Sequence, residues 1–255
     1  MVREILGQLK SRTILLIASS LKTREELAGI FQQYGCKSLM AGNDKEALDL
    51  IYHGIGVDVI LKSVESPISS SFKFVRNAYL QFSDLPPIFF ISNQLDPHFD
   101  NAFFEGVEAI FVEPIQPDEL VEGVAFSLEA LMNQRERKHR RQRIRNVKVS
   151  YNVGSSQNSG YATNISTGGM FVGSMLTLPN PGQLINFRLS SEGQNKIELS
   201  GFAIVRWLRQ KMKHGRPRGF GIEFVGLDVD ALRDSGIEIE ASGLGVNRSG
   251  PRCSQ

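Results

Sequence analysis

Along the first 130 or so residues, short continuous apolar runs alternate with stretches in which apolar positions recur every three or four residues. TILLIA (13–18) is rich in isoleucine and leucine, the pattern of a strand buried on both faces. Thr23 and Glu26 of TREE have capping-box spacing and predict a helix start, with Leu27, Ile30, Phe31 and Tyr34 at helical spacing and Gly35 as the stop. The unit then repeats. Lys37 to Ala41 predicts a strand, and Asn43 with Glu46 opens a helix carrying Ala47, Leu50 and Ile51. VDVIL (57–61), PIFFI (87–91) and AIFV (109–112) are three more buried-strand runs, separated by helical stretches near Ser70 to Phe82 and Pro97 to Phe104. Pro117 suits the first turn of a last helix, striped by Leu120, Val121, Val124, Leu128 and Leu131. Strand–helix units in this order imply an α/β doubly wound parallel sheet with helices on both faces.

Past Lys148 the period changes from helical to alternating. In VKVSYNV, Val147, Val149, Tyr151 and Val153 share one face while Lys148, Ser150 and Asn152 share the other. GYATNIS, GMFVG, LINFRL, IELSGFAIVRW and FGIEF are further strand candidates among Gly, Pro, Ser and Asn clusters, which predicts an antiparallel β-barrel. The chain thus divides into a sheet domain (1–132), an interdomain arm (133–146), a barrel (147–229) and a tail (230–255). The tail carries a weak helical segment, DVDALRDSG, and becomes Gly/Ser-rich from Ala241, where disorder is expected.

Charge sharpens this division. The chain has 255 residues, 29 Lys/Arg against 27 Asp/Glu, and a formal charge of +2. Eight of the basic residues lie between Arg135 and Lys148, beside the single Glu136, which leaves 21 basic against 26 acidic elsewhere. The positive charge is local to the arm, and this weighs against a protein that coats nucleic acid over its surface. Two cysteines, Cys36 and Cys253, form neither a disulfide framework nor a metal-ligand pattern. No targeting segment and no run of about 18 apolar residues is seen, so a cytoplasmic location and no membrane partner are expected.

The order and spacing of elements over 12–132 resemble a response-regulator receiver domain. VDVILKSVESP is similar to the receiver's third strand and loop, and GVEAIFVEPIQPDEL to its fifth strand and last helix entry. The chemistry that this resemblance implies is missing. Its acidic pair falls on Ala18 and Ser19, its phosphoryl acceptor on Ser63 and its lysine on Glu113, while Ser92 keeps the small hydroxyl. Carboxylates are the ligands a hard divalent cation needs, and a serine does not replace an aspartate nucleophile. The domain is therefore read as a pseudo-receiver that contacts an unidentified protein or a second copy of the chain, a homodimer being one option because receivers often pair through their last strands and helices. A doubly wound domain of another family remains the alternative.

Two short pieces of the second half carry the rest. Arg141-x-x-x-Arg145 precedes the first barrel strand, and Asn164-Ile165-Ser166-Thr167-Gly168-Gly169 follows one strand later. With the succeeding P-x-P-G-x-L-I-N-F-R-L, L-S-G-F-A-I-V-R and R-G-F-G-I-E-F, this succession resembles the PilZ domain, a bacterial receptor for cyclic di-GMP, over roughly 140–227. The resemblance implies a ligand site of Arg140, Arg141, Arg145, Asn164, Ser166 and Gly169, with Arg140 favouring a stacked pair of ligands. Guanidinium forks suit the O6/N7 edge of guanine and the phosphates, and Asn164 and Ser166 add an amide and a hydroxyl. Asn164 stands where the family often has aspartate.

Other readings of these residues stay open. The arginines would serve equally as a solvated linker, and Asn164 and Ser166 as turn residues bonded to their own backbone. Trp207 either lines the site or packs, and His214 in KMKHGRPRG is read as solvated. No Walker loop, G-x-G-x-x-G, H-E-x-x-H or nucleophile elbow is present, and the four histidines form no ligand cluster, so neither enzyme activity, a metal nor a cofactor is expected. The function expected is a cyclic di-GMP-binding adaptor whose arm orders on binding. A degenerate adaptor that binds only protein, and a nucleic-acid regulator using the basic arm, are the alternatives.

Overall fold

The computed structural model describes residues 6–65, 67–82, 85–132, 142–191, 197–227, 229–235 and 237. The first half contains β1 (Thr13–Ile17), α1 (Leu21–Gln32), β2 (Lys37–Ala41), α2 (Asp44–Tyr52), β3 (Val59–Val64), a 3-10 turn (Ile68–Ser71), α3 (Phe72–Gln81), β4 (Ile88–Ser92), α4 (Phe99–Phe104), β5 (Ala109–Val112) and α5 (Pro117–Met132). The strands pair in parallel in the order β2-β1-β3-β4-β5, the flavodoxin-like doubly wound order. Alternate strand residues feed two cores. Ile14, Leu16, Val59, Leu61, Phe89 and Phe111 meet α1 and α5 on one face. Leu15, Ile17, Ile60, Ile88, Phe90 and Ile110 meet α2, α3 and α4 on the other. Helix α1 begins one turn earlier than the Thr23 capping box predicts. Ser20 is its cap, accepting from the Thr23 amide at 3.2 Å. Asn43 caps α2 as predicted, accepting from the Glu46 amide at 3.0 Å.

The second half contains β6 (Gln142–Arg143), β7 (Val147–Val153), β8 (Ser156–Ser166), β9 (Gly169–Gly173), β10 (Leu184–Ser191), β11 (Glu198–Arg209), β12 (Gly219–Val225) and α6 (Val229–Asp234). Antiparallel pairing runs β8-β7-β10-β11-β12-β9, and β9 returns to β8, closing a six-strand barrel with β6 added against β8. The inward alternation read from VKVSYNV holds for Val147, Val149 and Tyr151, which are all buried in its core. Two residues of the predicted tail, Leu232 and Ile237, also reach that core. The Gly/Ser-rich stretch from Ala241 lies outside the described residues.

Two barrel strands, β8 and β11, are irregular. In β8, Ala162 pairs with Val172 and Asn164 with Phe171, so Thr163 is an extra residue. In β11, Val205 pairs with Ile222 and Trp207 with Gly221, so Arg206 is extra. An inserted residue reverses the inside–outside alternation. Ala162 and Ile165, which have opposite parity, both point inward, and so do Val205 and Leu208. Asn164, Trp207 and Arg209 are thereby turned to the outside, toward the first domain.

The two domains are packed together. Tyr161 joins the core cluster of the first domain, stacking on Phe103 at 6.2 Å and donating its hydroxyl to Asp100 Oδ1 at 3.2 Å. The Asn146 amide donates to the Phe104 carbonyl at 2.9 Å, and the Ile110 amide to the Gly215 carbonyl at 2.8 Å. Gly215 and His214, both at positive φ, form the tip of a tight turn closed by Lys213 and Arg216. That turn lies on β5 and α5. His214 is not solvated as the sequence suggests. Its ring packs on Phe126 at 4.9 Å and its Nδ1 lies 3.9 Å from Glu122. Burial, and Lys213 after it, push its pKa below the ordinary value against the pull of Glu122 and Glu119.

Candidate functional site

A cavity of about 170 Å³ opens where β6, the bulged parts of β8 and β11, and the Lys213–Arg216 turn meet α3, α4, α5 and the loop 106–108 before β5 of the first domain. Strand β6 explains how distant motif residues arrive there. Gln142 and Arg143 pair with Ile165 and Asn164, and the Ile144 amide bonds to the Thr163 carbonyl at 3.2 Å. The end of the expected arm is therefore a strand laid along the Asn-x-Ser-x-x-Gly segment. Arg145 and Asn164 both line the cavity. The Arg145 guanidinium stacks over the Tyr79 ring at 4.2 Å, and Asn164 Oδ1 is buried without a hydrogen-bond partner among the described residues.

Ser166 and Gly169 are placed differently. Ser166 is buried, and its hydroxyl donates to the Gly169 carbonyl at 3.1 Å. A Cβ on Gly169 would sit 2.0 Å from the Ile222 carbonyl oxygen, so this glycine lets β9 approach β12. Both residues shape the β8–β9 turn that presents Asn164. Arg140 and Arg141 lie outside the described residues.

Sequence reasoning missed several lining residues. Arg143, Arg209 and Arg216 join Arg145, and Glu108 is the one carboxylate among the lining side chains. Arg143 reaches Glu108 at 3.2 Å and Arg216 reaches it at 3.3 Å, while Arg216 also donates to the buried Ser127 hydroxyl at 2.7 Å. Burial alone would raise the Glu108 pKa, but Arg143, Arg216 and Arg209 outweigh it and the net shift is downward. Arg209 is held lower, to about 10, by burial and by repulsion from Arg216. Its guanidinium lies 4.7 Å from the Phe171 ring and 5.7 Å from Trp207, and the two rings stack at 5.2 Å. The Trp207 indole crosses β12 at Gly221, where a Cβ would meet Nε1 at 2.2 Å. Trp207 thus both packs and lines the cavity. The site offers cationic forks, an aromatic shelf and an amide, a set suited to an anionic ligand with planar bases.

The model of the PilZ domain family matches residues 134–236. Those residues are a PilZ domain. The PilZ match takes in the whole basic stretch from Arg135 to Lys148 and β6 through α6, and the family is a binding module rather than an enzyme family. No curated protein matches the sequence. Solved structures similar to part of the chain include a response regulator receiver domain from Clostridium thermocellum, with 17% identity over 48% of this chain and 98% of that one, at a TM-score of 0.40. A response regulator from Thermotoga maritima matches at 19% identity over 47% and 98%, with a TM-score of 0.43. The Bacillus subtilis inhibitor of motility matches at 16% identity over 39% and 47%, with a TM-score of 0.33. In front of the PilZ barrel stands a receiver-like fold, with its strand order β2-β1-β3-β4-β5. At the positions that the receiver resemblance singles out, Ala18 is buried with its carbonyl accepting from Arg24 at 2.7 Å, and Ser92 donates to the Gln94 carbonyl at 2.7 Å. Among the described residues no helix is long and apolar enough to cross a membrane.

Proposed function

We propose that this chain is a cyclic di-GMP-binding adaptor in which the PilZ barrel takes the dinucleotide and the receiver-like domain carries protein contacts. The observation that carries this reading is that Arg145 and Asn164, one from each motif, line a single cavity. Phosphates pair with the guanidinium forks, guanine presents O6 and N7 to them, and the partly exposed Trp207, backed by the buried Phe171, offers a π face for a base. The cavity is smaller than the roughly 300–1,000 Å³ typical of ligand pockets, so the dinucleotide lies partly across its mouth. Arg140 and Arg141 are assigned to the ligand from the motif alone, and Arg140 to the choice between one ligand and a stacked pair. Calorimetry of the full chain with cyclic di-GMP tests the proposal, with Arg141→Ala and Asn164→Ala expected to weaken binding. Absence of binding by the wild type overturns it.

A second reading has its own observation. Arg143 and Arg145 are already engaged by Glu108 and Tyr79 within the chain, as expected if the basic residues only clamp the domains and the adaptor binds protein alone. The same titration separates the two. The β5–α5 face, through which receivers often pair, is covered here by the Lys213–Arg216 turn. A protein partner or a second copy would therefore use another face.

A further inference from the structure

The cavity gathers more positive charge than the two motifs account for. Arg143 lies between the motif arginines, Arg209 ends β11 and Arg216 closes the turn on β5. None of the three is a motif position, yet all line the same cavity. The anion they share is Glu108, which belongs to the other domain. It is fixed at the entry to β5 by its amide, which donates to the Ile88 carbonyl at 2.8 Å. Its carboxylate meets Arg143 through one oxygen and Arg216 through the other.

We propose that Arg143, Arg209 and Arg216 form an anion subsite for one phosphodiester of the cyclic dinucleotide, which the Glu108 carboxylate fills when no ligand is bound. This rests on the cyclic di-GMP reading above. Carboxylate and phosphate present the same charged, two-oxygen edge to a guanidinium fork, so one replaces the other without rebuilding the site. Three guanidiniums against one carboxylate leave the cluster short of negative charge. The Nε of Arg216 is buried with no partner among the described residues, a donor that Glu108 leaves unused. A dinucleotide with two phosphates supplies the missing charge, and Glu108 is displaced. Both Glu108 ion pairs cross between the domains, so the exchange also removes two of the contacts that hold the barrel on β5.

Competition makes a prediction of definite sign. A site that a built-in competitor occupies about nine-tenths of the time shows its ligand on the order of tenfold weaker affinity. Glu108→Gln keeps the size of the side chain and removes its charge. Calorimetry of the full chain with cyclic di-GMP should find this variant binding several-fold to about tenfold tighter than wild type, although its melting temperature without ligand falls because three guanidiniums lose their counter-charge. A merely structural carboxylate would lower both quantities. Arg216→Gln should bind at least several-fold more weakly. Wild-type binding that Glu108→Gln leaves unchanged or weakens overturns the subsite and spares the cyclic di-GMP reading. Absence of wild-type binding removes both.

Discussion

Gly169 separates a ligand role from a structural one most cleanly. In Gly169→Ala the new methyl would lie 2.0 Å from the Ile222 carbonyl oxygen, 3.0 Å from its carbon and 3.1 Å from Glu223 Cα. Carbon and carbonyl oxygen do not normally approach within about 3.3 Å, so β9 must retreat from β12 by roughly 1 Å. Every atom in the way is backbone, which no side-chain rotation relieves. The retreat falls at the barrel seam, where Gly169 pairs with both Ser166 and Glu223 and the Phe224 amide reaches the Gly168 carbonyl at 3.0 Å. Each buried ladder bond left unmade costs about 1–3 kcal/mol, and loss of one or two gives about 2–4 kcal/mol. For a chain of this size that lowers Tm by roughly 5–15 °C. Scanning calorimetry measures the shift, and a cyclic di-GMP titration well below the transition measures what binding survives. An unchanged Tm with binding abolished would show that the glycine serves the nucleotide directly, refuting its assignment to barrel closure.

Three other contacts carry expected outcomes of their own. Arg145→Ala removes a cation–π contact with Tyr79 worth about 0.5–2 kcal/mol and one motif arginine, so cyclic di-GMP affinity in calorimetry should fall about tenfold or more with little loss of Tm. Tyr161→Ala deletes the ring stacked on Phe103 and the bond to Asp100, a loss of about 3–5 kcal/mol that should split thermal unfolding into two transitions, one per domain. His214 has its folded pKa pushed below 6.5, so on acidification the unfolded chain takes up that proton first and stability falls as pH drops through 6.5 toward the folded value. His214→Gln should flatten that part of the curve of Tm against pH, and an identical curve would contradict the burial of the ring.

The sheet domain was legible because most of its strands are compact apolar runs that tertiary packing had no reason to override. TILLIA and AIFV each contain a strand of the parallel sheet, and PIFFI covers all of β4 but Ser92. The barrel was legible wherever strict alternation held, as in VKVSYNV. It failed where one inserted residue reversed the alternation. The bulges at Thr163 and Arg206 leave no mark in the local pattern, and without them Asn164, Trp207 and Arg209 cannot be placed on the outer face. The Ser20 cap displaced the predicted Thr23 cap because a serine one turn earlier satisfies the Thr23 amide just as well. Leu232 and Ile237 looked like tail residues because two apolar side chains in a polar stretch show no period.

What no periodicity reveals is a site assembled from two domains. Glu108 in GVEAIFV reads as an ordinary polar residue at a strand edge, and Arg216 in KMKHGRPRG as one more loop charge. Their significance lies only in the 3.3 Å between them and in the arginines that surround the pair. The motif arginines could be recognised from their spacing because PilZ barrels share it. The carboxylate could not, because it comes from the other domain. On the proposal above, a receiver-like domain answers to a phosphate because it holds a carboxylate in the place the phosphate would take. If cyclic di-GMP displaces Glu108 as proposed, the exchange of one anion for another at Arg143 and Arg216 would be felt by both domains at once, with no covalent step.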